Sequence, residues 1–166
     1  MKVAVIMGSD SDFPVLKGCI DTLNNFSIEF DVHVMSAHRT PDKAEKFSKK
    51  AYDNGYGVII CAAGKAAHLA GVMAANTALP VIGIPIKTSM MGGMDSLLST
   101  VQMPKGIPVA TVAVDGAENA ALLAVQMLAL SDKELYRKLV EYKSDMAAAI
   151  DEKDKEIQKQ VADLIK

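Results

Sequence analysis

The stretch Val3-Ala4-Val5-Ile6-Met7-Gly8-Ser9-Asp10-Ser11-Asp12-Phe13-Pro14-Val15-Leu16 decides the fold. Val3 to Met7 is a short, continuous apolar run, which suits a strand buried on both faces. Gly8 to Asp12 then breaks it with turn formers. Pro14 sits where a helix begins, and Val15, Leu16, Cys19, Ile20 and Leu23 follow at helical spacing. The order is strand, loop, helix.

That unit repeats along the chain. Phe30, Val32 and Val34 alternate as a second strand, and Ser36 to Thr40 form a loop before Pro41 opens a helix with Thr40 as its N-cap. Val58-Ile59-Ile60-Cys61 reads as a third strand, ending at Ala63-Gly64-Lys65 ahead of a small-residue helix around Ala66 to Ala75. Pro80 to Pro85 makes a fourth strand and Val109 to Val114 a fifth. A compact turn at Asp115 to Glu118 precedes a helix from about Asn119 to Leu130. Strands alternating with helices predict a parallel sheet, so the expected fold is three-layer α/β, flavodoxin-like or Rossmann-like, with five strands and helices on both faces.

Length and composition agree with one such domain over 1–166. At 50% hydrophobic and 23% charged residues the chain is too apolar for disorder, and 166 residues suffice for a self-sufficient core. A net charge of -2 argues against sequence-independent nucleic-acid binding, which needs a basic face. No stretch approaches the ~18 apolar residues of a membrane span, and the N-terminal apolar run is too short for a signal segment. Cys19 and Cys61 lie among apolar residues without CxxC spacing, which predicts buried thiols in a reducing compartment. The expected location is the cytoplasm. From Ser131 onward the chain reads as a charged helical tail, on which Ile150, Ile157, Val161, Leu164 and Ile165 leave an apolar stripe that needs something to pack against.

In an open parallel sheet ligands bind at the C-terminal rim of the strands, where helix N-termini converge. The rim loops here are Gly8 to Asp12, Ser36 to Arg39, Gly64 to His68, Lys87 to Ser89, and Asp115 to Asn119. Gly8 and Ser9 read equally well as a phosphate cradle or as a tight turn with Ser11 or Asp12 as N-cap. Asp10 and Asp12 repel phosphate, which leaves a sugar hydroxyl as the better partner for one of them. Arg39 at a helix start opposes the helix dipole, so an anion between the two is expected. His38 supplies an imidazole, the side chain best suited to the proton exchange that general acid-base work requires. His33, inside a strand, reads as structural, whereas His68 reads either as a helix-face residue or as a ligand contact. No histidine pair has metal-like spacing with a carboxylate, so no metal is expected.

Three rival classes are testable on the sequence. A flavin carrier of the same architecture needs aromatic rings at the rim, and this chain has no Trp and four Tyr, none of them in the rim loops. A receiver module needs an aspartate at the end of strand three, where Cys61-Ala62-Ala63-Gly64 stands. A nucleotide-binding module without catalysis stays open.

Four motifs then stand in order: Met7-Gly8-Ser9-Asp10-Ser11-Asp12, Ser36-Ala37-His38-Arg39-Thr40-Pro41, Asp95-Ser96-Leu97-Leu98-Ser99 with Val101-Gln102-Met103-Pro104, and Asn119 to Ala124. In these the chain resembles the bacterial N5-carboxyaminoimidazole ribonucleotide mutases, the catalytic subunits of phosphoribosylaminoimidazole carboxylase, from Met1 to about Arg137. The resemblance implies a cofactor-free isomerase of purine biosynthesis. Ser9 and Arg39 would face the substrate phosphate and Asp12 the ribose, with Ser36 and Ala37 beside them. His38 would be the proton shuttle, and Gly64, Ala66, Ala67, His68 and Leu69 would shape the pocket of the migrating carboxyl group, while the Lys65 ammonium would either reach the phosphate or carboxylate or project into a subunit interface. It also implies a homo-octamer, which fits a C-terminal tail over 131–166 laid across neighbouring subunits.

The chain departs from the family's Gly-Gly-Ala-Ala-His-Leu-Pro-Gly at two places, with Lys65 at the second glycine and Ala70 at the proline. A related branch of direct carboxylases, using dissolved carbon dioxide, carries arginine at the Lys65 position but usually lysine in place of Arg39 and no counterpart of His68. The Asp115 to Glu118 turn is also shorter than usual in the family. The expectation is therefore a mutase, with the direct carboxylase as its nearest rival.

Overall fold

A computed structural model describes residues 1–165. The chain divides into two compact units, Met1–Leu128 and the segment from Ala129 onward. In the first unit, β1 (Lys2–Met7), β2 (Phe30–Val34), β3 (Tyr56–Ala63), β4 (Val81–Pro85) and β5 (Ala110–Thr111) form one sheet. Their order is β2-β1-β3-β4-β5, and all the pairings are parallel. The helices of this unit are α1 (Phe13–Asn25), α2 (Pro41–Lys50), α3 (Leu69–Ala75), α4 (Met94–Val101) and α5 (Ala117–Ala129). This is the flavodoxin-like order, with its switch point between β1 and β3.

The sheet's centre holds because its strands carry no polar side chain where both faces are covered. Val3 to Ile6 in β1 and Val58 to Ile60 in β3 are fully buried. Each such Val or Ile contributes roughly 1.5–3 kcal/mol by leaving water. Cys61 lies among them and Cys19 is buried in α1, and loss of hydration pushes both thiols well above their ordinary range. Both are poor nucleophiles for that reason.

Several features differ from the sequence expectation. The fifth strand has two paired residues rather than six. After Val112, whose N–H still reaches Gly83 O, the chain leaves the ladder and turns at Asp115, whose N–H bonds to Pro85 O at 2.9 Å. Asp115 takes a left-handed φ of 56°, and the tight turn lets α5 begin at Ala117, two residues before Asn119. α3 begins at Leu69 instead of Ala66, because Lys65 has a φ of 56° and breaks any helix there. α4 was not expected as a separate helix. Thr40 occupies the N-cap position of α2 without capping it; its hydroxyl bonds instead to Ser36 O at 3.0 Å and accepts the Ser36 N–H at 2.9 Å.

In the second unit, α6 (Lys133–Leu164) runs for 32 residues. The Asp132 carboxylate caps it by accepting the Glu134 and Leu135 N–H groups, both at 3.0 Å. Tyr136, Val140, Ile150, Ile157, Val161 and Leu164 leave large apolar side chains exposed along it, and Ile165 is exposed just past its end. No helix among the described residues is long and apolar enough to cross a membrane.

Candidate active site

A cleft of about 710 Å³ opens over the C-terminal ends of β1 to β4. Its floor lies at the switch point, where the Gly8 N–H crosses from the end of β1 to Ala62 O in β3 at 3.0 Å. The four loops that follow β1, β2, β3 and β4 form its walls. Of the residues assigned from the sequence to catalysis or substrate contact, Ser9, Asp12, Ser36, Ala37, His38, Arg39, Gly64, Lys65, Ala66, His68 and Leu69 line it. Ala67 does not; it is buried beneath the loop.

The loop after β1 folds into a short 3-10 turn at Asp10–Asp12, and Ser9, not Ser11 or Asp12, caps it. Ser9 Oγ accepts the Ser11 N–H at 3.3 Å, while Asp12 Oδ2 accepts the Ser9 N–H at 3.2 Å, a reciprocal capping box. The Ser11 hydroxyl also bonds to Ser9 Oγ at 2.9 Å. Burial pushes the Asp12 carboxyl above its ordinary value, against the pull of the Ser9 and Ser11 bonds and the charge of Arg39. A carboxylate that is only 8% exposed, with acceptor capacity left, suits a ligand hydroxyl that donates to it.

The loop after β2 closes on itself through Ser36 and Thr40 and presents His38 and Arg39 together. Arg39 Nη2 donates to Gly8 O at 2.8 Å and Nε to Ser36 Oγ at 3.4 Å, so its fork is braced across two loops. Five guanidinium donors are available on any arginine, which leaves some for an anion. A smaller recess of about 290 Å³, lined by Asp10, Val34 and Thr40, adjoins the cleft across Gly8, Ser9, Ser36 and Arg39. Arg39 stands on the wall common to both.

His68, at the N-cap position of α3, reaches across from the loop after β3. Its Nδ1 lies 2.9 Å from His38 Nε2, with the rings edge to face at 83° and their centroids 5.1 Å apart. A bond between two ring nitrogens needs a proton on one of them, so one ring donates and the other accepts across the cleft. His68 thus faces the cleft from the N-cap of α3. His33 sits in β2 edge-on to Phe47 at 5.3 Å and plays no part in the cleft.

Ser11, Ile86, Lys87, Thr88 and Ser89 also line the cleft, and sequence reasoning did not select them. Their only signal was position, immediately after an apolar strand at the rim. Asp115 to Asn119, also at the rim, do not line it; Asp115 acts from behind, its Oδ1 accepting the Lys87 N–H at 2.8 Å. Among the described residues no group of three or more His, Cys, Asp and Glu side chains is placed to hold a metal ion.

Comparison with known proteins places this geometry. Residues 2–149 match the family model described as AIR carboxylase. The chain belongs to the AIR carboxylase family. This family member is 51% identical over 156 residues to the N5-carboxyaminoimidazole ribonucleotide mutase of Pyrococcus horikoshii, covering 94% of this chain and 88% of that one. It is 50% identical over 152 residues to the protein of the same name from Thermotoga maritima, covering 92% and 89%. Among solved structures, Treponema denticola PurE superposes with a TM-score of 0.85 at 29% identity, covering 93% of this chain and 96% of that one.

Within the family pattern, Lys65 now has a structural meaning. It stands at the second glycine of the Gly-Gly-Ala-Ala-His-Leu-Pro-Gly pattern, and the backbone there is left-handed, the conformation glycine adopts without strain. The lysine keeps a glycine's backbone at about 1–2 kcal/mol. Ala70, in place of the proline, is buried in the first turn of α3.

Proposed function

We propose that this chain is an N5-carboxyaminoimidazole ribonucleotide mutase of purine biosynthesis, an isomerase that moves a carboxylate from N5 to C4 of the aminoimidazole. One observation carries the mechanism: His38 Nε2 lies 2.9 Å from His68 Nδ1 in a cleft whose neighbouring loops offer Ser9, Asp12 and Arg39. Arg39 and Ser9 take the phosphate, because the guanidinium fork and a hydroxyl beside a helix entrance suit a doubly charged oxyanion. Asp12 takes a ribose hydroxyl, with Ser36 and Ala37 closing that side.

The imidazole ring then lies toward His38 and the Gly64 to Leu69 loop. Protonated His38 gives its proton to N5 as the N–C bond of the carbamate breaks, which releases carbon dioxide. C4, made nucleophilic by the ring's enamine electrons, forms its bond to the trapped gas. Neutral His38 then removes the C4 proton and is ready for another cycle, so protons balance without a cofactor. Gly64, Lys65, Ala66, His68 and Leu69 keep the carbon dioxide from escaping.

The subunits work in the cytoplasm as a homo-octamer, each an α/β domain whose tail over 131–166 packs on its neighbours. The exposed apolar side chains along α6 support that reading.

Lys65 favours one rival, the direct carboxylase, because that branch carries a cation at this position. Arg39 and His68 favour the mutase. Turnover measured at low bicarbonate separates them: the mutase converts the N5-carboxylated ribonucleotide without added bicarbonate, whereas a direct carboxylase converts only aminoimidazole ribonucleotide, and only when bicarbonate is supplied. Binding of both ribonucleotides without any turnover would leave a nucleotide-binding module instead.

A further inference from the structure

Lys87 lines the cleft from the loop after β4, where it follows buried Ile86 at the strand's end. Its side chain is exposed and has no hydrogen-bond or ion-pair partner among the described residues. Its backbone is held on two sides. The N–H donates to Asp115 Oδ1 at 2.8 Å, and Gly93 lies so close behind that a Cβ on it would stand 3.2 Å from Lys87 Cα. Asp115 accepts that bond from a left-handed backbone, and Gly93 has a φ of 103°. Two strained or glycine-dependent turns thus fix where this one lysine begins. The other carboxylate in this region, Asp95, accepts the Thr88 hydroxyl at 2.6 Å, and among the described residues no ion pair joins it to Lys87.

The strand order gives that placement a chemical sense. Arg39 follows β2 and Lys87 follows β4, with β1 and β3 between them. Three strand spacings separate their loops, roughly 14 Å at ~4.8 Å each, a span on the scale of a nucleotide. A cleft with a braced cation at one end and an unpaired one at the other suits a ligand with an anion at each end.

We propose that Lys87 is a specificity-determining residue that binds the carboxylate carried by the ring, opposite the phosphate held by Arg39. The assignment rests on the ribonucleotide reading above. The carboxylate is charged in substrate and product and is lost in the carbon dioxide intermediate, so Lys87 discriminates carboxylated from uncarboxylated ribonucleotide. A charge-assisted bond of this kind changes affinity tenfold or more. Lys65, on the loop after β3, is the other cation at this end and serves as the comparison.

Equilibrium binding of 4-carboxy-5-aminoimidazole ribonucleotide and of uncarboxylated aminoimidazole ribonucleotide to the intact protein tests the proposal. The wild type should bind both, and binding of neither would remove the ribonucleotide reading itself. Lys87→Met should weaken the carboxylated ligand at least tenfold and the uncarboxylated one less than twofold, with Lys87→Arg restoring most of the loss. Equal weakening of the two ligands, or of neither, overturns the assignment. So does loss of discrimination in Lys65→Gly with Lys87→Met unaffected. Unchanged thermal unfolding of Lys87→Arg confirms that the readout is binding and not folding.

Discussion

The two ends of the same sheet use similar residues to opposite effect. At the N-terminal end, Lys2 Nζ meets Asp31 Oδ2 at 2.7 Å, the Tyr56 hydroxyl donates to the same oxygen at 2.6 Å, and the Lys2 ammonium sits 4.5 Å over the Tyr56 ring. Phe47 joins Tyr56 to His33 by ring contacts at 5.3 Å. Each group there satisfies another. At the C-terminal end, among the described residues, the Arg39 guanidinium is bonded only to a carbonyl and a hydroxyl, the Lys87 side chain has no partner, and one histidine bonds to another rather than to a carboxylate. Charge left unsatisfied around a cleft marks a place for a ligand, while charge satisfied within itself pins an edge strand.

Breaking the comparison at its most reactive point should give the largest effect. His38→Asn should lower kcat by about 10²–10⁴-fold while ribonucleotide affinity stays within a few-fold, read from steady-state kinetics beside equilibrium binding. Retained activity would refute the proton shuttle.

Asp12→Asn tests whether the rim trades stability for binding. Removing a buried charge while keeping an acceptor for the Ser9 N–H should leave the protein at least as stable as wild type at neutral pH. Ribonucleotide affinity should nonetheless fall about tenfold. Burial raises the folded-state pKa of Asp12, so its wild-type carboxyl favours folding in acid and opposes it once ionised. The variant's advantage in thermal unfolding should therefore shrink as pH falls through that raised value into the ordinary carboxylate range.

Asp31→Asn should do the reverse, lowering the melting temperature by a few degrees at most with kcat and KM unchanged. Its bond to Lys2, then that to Tyr56, holds the Asp31 carboxyl below its ordinary value. That contribution is present above the ordinary carboxylate pKa and is lost as pH falls through the lowered one. The variant and wild type should accordingly converge in acid. A loss of activity without a loss of stability would erase the distinction between the two ends.

Lys65→Gly should have the smallest effect on the fold. Relief of a left-handed lysine gains about 1–2 kcal/mol, and the greater freedom of glycine in the unfolded chain returns about 0.4–1, so chemical denaturation should show a neutral or slightly more stable protein. A clear destabilisation would mean that the side chain has a structural partner.

Much of the site was legible because it follows from position along the strands. Gly8 to Asp12, Ser36 to Arg39 and Gly64 to His68 each follow an apolar run, and in a parallel sheet all such ends meet on one rim. The resemblance then assigned roles that position alone left open. Lys87 escaped because nothing local separates a ligand-facing lysine from a solvated one. Thr40 stands at the expected N-cap position, but its hydroxyl makes no capping bond because Ser36, four residues away, takes it.

By itself the sequence determined the alternation of strands and helices, the parallel sheet and the loops where chemistry gathers, because hydrophobic period and turn residues act over a few positions. Only the tertiary structure decided the 2.9 Å contact between His38 and His68, 30 residues apart. It also decided the tie from Asp115 to Lys87 across 28 residues, and the left-handed backbone beneath Lys65. Those features depend on which strands lie side by side and on how loops of fixed length close between them. No local pattern encodes either.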